Sequence, residues 1–193
     1  MEPHQHFRWS RPIQPRWRGK RRNPWKASET EPVVASGITG ILEQNPSPKV
    51  RQLLHYWVKI RVTGKMPTRE IIDVFQVSGL LPYVWLIDVV RTPHVRFRFG
   101  LIKTHMHRAA TMETSSRYVD ESEPKADTAM LCDYFRRVVA DERPLFRRGR
   151  PLLPWRSGFR IQQSLYLPLS DRAHQVDAIL ALSQFRDSRG QWH

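Results

Sequence analysis

Cys132 is the only cysteine in 193 residues. No disulfide can therefore close within the chain and no cysteine-based zinc site can form. This usage suits a reducing compartment. Long apolar runs are missing as well. Nothing approaches the length of a membrane span, and the N-terminus has no apolar core of the kind a signal peptide needs. Together these absences lead to the expectation of a soluble, cytoplasmic protein. There are only nine glycines, and nowhere do they gather into a loop that could cradle phosphates. Acidic side chains are outnumbered, 18 against 32 basic ones. The small acidic cluster Asp120, Glu121 and Glu123 has no nucleophile or base to work with. No Ser/His/Asp arrangement assembles either, so the chain is read as having no catalysis of its own. No internal repeat is present.

What the chain does have is positive charge, a net +14, unevenly spread. Residues 1–26 carry Arg8, Arg11, Arg16, Arg18, Lys20, Arg21, Arg22 and Lys26 against Glu2 alone, which is half of the net excess. Trp9, Trp17 and Trp25 are set among these arginines. Prolines at 3, 12, 15, 24 and 32 interrupt any helix, so residues 1–46 read as a disordered basic tail, with at most a short apolar segment near Ile38–Leu42. No amphipathic membrane helix and no groove-entering helix is recognisable in it. Weak, salt-sensitive attraction to nucleic acid or another polyanion is what remains, through Arg16, Arg18, Lys20, Arg21 and Arg22. The tail reads as an appendage to a folded body.

Order begins at Ser47, a fair N-cap followed by Pro48 at the first helical position. Val50, Leu53, Leu54, Trp57 and Ile60 keep helical spacing, and Gly64 is the expected stop. Thr68 caps a second, short helix with Ile71, Ile72 and Phe75 on its apolar side. Residues 80–90 read as a buried strand ending in a turn at Arg91–Pro93. The next strand alternates strictly, with Val95, Phe97 and Phe99 on one face and Arg96 and Arg98 on the other. Residues 103–125 are polar and irregular. The clearest helix starts near Asp127, carries Leu131, Tyr134, Phe135, Val138 and Val139, and is closed by Pro144. Three strands follow, with a frayed end expected at 188–193. Five strands with a helical excursion between the second and third can close into one antiparallel sheet with helices on one face, an α+β arrangement.

The segments "LLHYWVKIRVTGKMPTREIID", "LLPYVWLIDVV", "RFRF", "SSRYVDE", "YFRRVVADERPLFRRGR" and "SLYLPLSD…VDAILALSQF" come in an order that resembles a bacterial PAS family, one in which a single PAS domain makes up nearly the whole protein. The resemblance runs from about residue 50 to 186, with residues 47–187 as the domain. It implies a five-stranded PAS-like sheet, a cavity between sheet and helices, frequent dimerisation and a sensory or interaction role. It does not imply a reaction.

Candidate sites follow from both readings. Phe97, Phe99, Ile161, Gln163, Leu165 and Leu180 are the candidates to line a core or a ligand cavity, and Gln163, a buried amide, needs hydrogen-bond partners. Tyr56 and Trp57 are adjacent on the first helix and are not expected to face one core together, so this helix is the expected dimer or partner surface. Arg147, Arg148, Arg150, Arg156 and Arg160 are expected to form a basic stripe on the open face of the sheet. Haem ligation through His105 or His107, which the resemblance raises, is disfavoured because Lys103 and Arg108 flank them and no ligand cluster joins them. No cofactor or metal is required. Cys132 reads as a buried small hydrophobe.

Overall fold

The computed structural model describes residues 32–61, 65–73, 75–102, 117–122, 125–152, 159–171 and 174–193. In chain order these form β1 (Val33–Ser36), α1 (Ile38–Glu43), α2 (Pro48–Lys59), β2 (Val84–Val90), β3 (Arg96–Ile102), α3 (Lys125–Asp141), β4 (Leu145–Gly149), β5 (Phe159–Ser170) and β6 (Val176–Asp187). The strands make one antiparallel sheet in the order β1-β4-β5-β6-β2-β3. The antiparallel α+β architecture is as expected. The strand number is six and not five.

The extra strand comes from the supposed tail. Val33–Ser36 pairs along β4, with Val34 opposite Arg147 and Ser36 opposite Leu145. Gly37 then takes φ +76, open to glycine without a Cβ penalty, and its N–H donates to the Pro144 carbonyl at 2.9 Å. Ile41 of α1 is fully buried. A strand of four residues followed by a one-and-a-half-turn helix is too short to announce itself by periodicity, so the folded unit starts before the expected residue 47. At the other end, residues 188–193 turn back onto β6 and do not simply fray. His193 and Phe185 exchange backbone hydrogen bonds at 2.8 and 3.0 Å.

The helices cover both faces of the sheet, correcting the one-face expectation. On one face α3 buries Leu131, Phe135 and Val138 against Trp85, Phe97, Phe99, Tyr166 and Ile179. On the other, α1 and α2 bury Ile41, Val50, Leu53, Leu54 and Trp57 against Leu165, Leu167, Leu180 and Leu182. The cause lies in the central strands. From Gln162 to Ser170 every residue of β5 is buried, as is nearly all of β6, and a strand covered on both sides has no solvent face to show as alternation.

The N-terminus of α2 forms as its sequence directs, with the Ser47 hydroxyl accepting from Val50 N–H at 3.4 Å and Pro48 at N1. The expected short helix after Thr68 is only a 3₁₀ turn, Arg69–Ile71, and Ile71 and Phe75 face solvent, Phe75 at 86% exposure. So short a segment cannot meet the cost of helix nucleation. Asp73 anchors it instead, its N–H donating to the Tyr56 hydroxyl at 2.7 Å. Likewise the expected strand 80–90 begins only at Val84, because Ser78–Tyr83, with Pro82 inside, winds into a 3₁₀ turn.

Candidate functional site

Antiparallel register lines up side chains in rows across the α3 face. Leu145, Tyr166, Ala181 and Trp85 make one row from β4 to β2. The next row is Arg147, Ser164 and Ser183, and beyond it lie Gly149, Gln162 and Phe185. The first row is aromatic. The edge of Phe135 stands over Trp85 and Tyr166, with ring centroids 6.1 and 5.3 Å apart. The second is polar, and buried.

Gln162 organises that polar row. Its Nε2 donates to the Ser164 and Ser183 hydroxyls at 2.9 and 3.3 Å, the two hydroxyls are 2.9 Å apart, and its Oε1 accepts from Leu152 N–H at 3.1 Å. Arg147, 1% exposed, heads the row. Its Nη2 donates to the Arg150 carbonyl at 2.6 Å, while Nε and Nη1 have no acceptor among the described residues. The Tyr134 ring of α3 lies 5.9 Å from the guanidinium. The Tyr166 hydroxyl and the Trp85 indole N–H are also buried without a hydrogen-bond partner there. Burial pushes the Tyr166 hydroxyl up to about 12, although Arg147 and Ser164, close by but outside hydrogen-bond geometry, pull it down. The phenol is thus neutral and able to donate. Buried polar groups are nearly always satisfied, which makes the unpaired donors of Arg147, in the polar row, and of Tyr166 and Trp85, in the aromatic row, the unusual feature of the α3 face.

The model of the family described as PAS domain matches residues 45–183 of this sequence. The chain belongs to the PAS-domain family. Comparison with curated proteins and comparison with solved structures each gave no match.

The sheet of this PAS domain divides the residues expected to share a cavity. Phe97 and Phe99 lie on the α3 face, whereas Leu165 and Leu180 belong to the core under α2. Ile161 is half-buried and in neither core. Gln163 faces α2, where its Oε1 accepts from Ser47 N–H at 3.0 Å, and the neighbouring Gln184 Oε1 accepts from the Ser47 hydroxyl at 2.5 Å. Its need for a partner is met by a helix N-terminus. The α3 face instead takes the alternate positions, Gln162, Ser164 and Tyr166, one in each row. The signal was in the sequence as the polar "QQS" inside an otherwise apolar strand, but period two alone does not say which parity meets which helix.

Tyr56 and Trp57 are both buried in the chain's own interior, correcting the expectation that one of them must face a partner. Trp57 Nε1 donates to the Pro168 carbonyl at 3.0 Å on the sheet side. Tyr56 is covered from the other side by the Asp73 segment. The basic stripe does not form, because neighbours on a strand point oppositely. Arg147 is buried under α3, Arg148 reaches across to the carbonyls of Gln44 and Asn45, and Arg150 pairs with Asp127. Arg160 is exposed. Arg156, His105, His107 and the tail residues Arg16, Arg18, Lys20, Arg21 and Arg22 lie outside the described residues.

Cys132 is buried, as expected, and burial pushes its thiol up to about 11. Among the described residues no group of three His, Cys, Asp or Glu side chains could hold a metal ion, and no helix is long and apolar enough to cross a membrane. An open cleft of about 260 Å³ at the end of the sheet is lined by Trp57, Arg61, Lys65, Met66, Glu142 and His174.

Proposed function

We propose that this PAS domain is a sensory or regulatory module that takes a small ligand on the α3 face of its sheet and passes the effect to a protein partner or a second copy of itself, catalysing no reaction. The observation that carries this reading is the buried polar row Arg147–Ser164–Ser183 with its orphaned donors. Buried donors without acceptors are what a site for an acceptor-bearing ligand would present. The PAS family match supports it.

Native mass spectrometry of the purified chain beside a denatured control tests it. A mass released on denaturation, or a homodimer, is the expected result. A monomer of bare chain mass would count against both arms.

The charge of residues 1–26 favours a second, separate role, contact with nucleic acid or another polyanion through Arg16, Arg18, Lys20, Arg21 and Arg22. Binding to single-stranded DNA should then weaken steeply with salt and vanish when residues 7–26 are deleted. Equal binding by the truncated chain would sink this role.

A further inference from the structure

Among the described residues, the α3 face contains a buried cation, Arg147, with no carboxylate paired to it. Arginine stays protonated at any pH a protein meets, so burial cannot be relieved by shedding the charge. None of the ion pairs among the described residues involves Arg147. Its compensation is one carbonyl, from Arg150, and a tyrosine ring at 5.9 Å. That is little for a desolvated guanidinium.

The groups left over have one character. Arg147 Nε–H and Nη1–H are donors, and the neutral Tyr166 hydroxyl, one row along the sheet on the adjacent strand, can donate too. What they lack is an acceptor carrying negative charge. The buried side chains packed against them are aromatic: Tyr134 against Arg147, and Phe135 and Trp85 against Tyr166. A group with two acceptor oxygens matches the fork of a guanidinium, and an apolar body matches the walls.

The geometry points to Arg147 as the receptor for the carboxylate of a small, apolar-bodied monocarboxylate seated between β4–β5 and α3, with the Tyr166 hydroxyl as a second donor. This rests on the ligand-binding reading above and names the class of its ligand. Binding is a plain association in which no covalent bond changes. The carboxylate supplies the counter-charge that the fold withholds, so ligand-free and ligand-bound states differ by a buried ion pair, a difference that the packing of Tyr134 against Arg147 can carry into α3.

Thermal unfolding of the full-length chain with benzoate or octanoate, and with benzamide as the neutral match to benzoate, tests it in wild type, Arg147→Met and Tyr166→Phe. Methionine keeps length and apolar bulk while removing the buried charge, and such replacements are often tolerated or stabilising. Benzoate or octanoate should raise the wild-type midpoint saturably at millimolar concentration, and benzamide should not. Arg147→Met should melt no lower than wild type in the absence of ligand and should lose affinity by about tenfold or more. Tyr166→Phe, which removes one oxygen, should weaken binding several-fold and serves if the first variant fails to fold. An equal response in the variants, an equal response to benzamide, or no wild-type response to either acid overturns the carboxylate.

Native mass spectrometry separates that failure from failure of the broader reading. A neutral mass retained by Arg147→Met overturns the carboxylate and leaves a sensory domain standing. A dimer without bound mass or acid response overturns it and leaves the interaction role. A bare monomer with no response overturns both.

Discussion

Trp57 and Phe75 are both aromatic residues on the α2 side of the sheet, and their surroundings assign them opposite weights. Trp57 is 2% exposed, packs into the core under α2 and donates its indole N–H to Pro168. Trp57→Ala should cost about 3–5 kcal/mol from lost burial and the cavity left behind, read as a fall in the urea midpoint. Phe75, at 86% exposure, has little burial to lose. Phe75→Ser should stay within about 0.5 kcal/mol of wild type in the same titration. Gln163 makes a related point. Its burial and its demand for a partner were readable from the sequence, but the partner, the backbone of Ser47 some 116 positions away, was not.

At the scale of elements, β1 and the Arg96 contacts show how segments are held at the margins of the sheet. β1 pairs with β4, and α1 buries Ile41 behind it. A chain begun at Ser47 would leave β4 as an open edge and uncover apolar surface, so deleting residues 1–46 should lower the melting temperature and promote aggregation on heating. A melting temperature equal to that of the full chain would show that β1 and α1 add nothing. Beside the opposite margin, Arg96 of β3 grips the Val119–Glu121 turn, donating to Asp120 at 2.7 and 3.0 Å and to Glu121 at 2.8 Å while lying over the Tyr118 ring. The guanidinium holds the Asp120 carboxyl below its ordinary 3.8. A carboxyl with a lowered folded value stabilises fully above 3.8 and loses that contribution as pH falls through the folded value. Arg96→Gln should therefore lower stability at neutral pH and make the remaining loss between pH 5 and pH 2 shallower, roughly the window in which such a carboxyl titrates. Parallel urea midpoints for both proteins across that range would check it. The pair is half-exposed and its effect small.

Over the whole molecule, the sheet is a partition. The α2 side is a packed core whose buried amides, Gln163 and Gln184, are met by Ser47. The α3 side carries the unmet donors of Arg147, Tyr166 and Trp85, while on the α2 side Arg148 Nε is also without an acceptor among the described residues. The sequence by itself determined much of this. The composition, the start of α2, the stripe of α3, the alternation of β3 and the antiparallel α+β plan are all local signals, since cap chemistry and side-chain period act over a few residues. Tertiary structure alone decided the rest. Recruitment of Val33–Ser36 as a sixth strand depends on an edge that β4 offers from more than a hundred residues away. Burial of Tyr56 beside Trp57 depends on the Asp73 segment folding over α2. The division of Phe97 from Leu165 depends on which parity of each strand meets which helix, and Arg147 shares that dependence. An arginine in a basic run looks like surface until register turns it inward, because burial belongs to the pairing of strands and not to the residue.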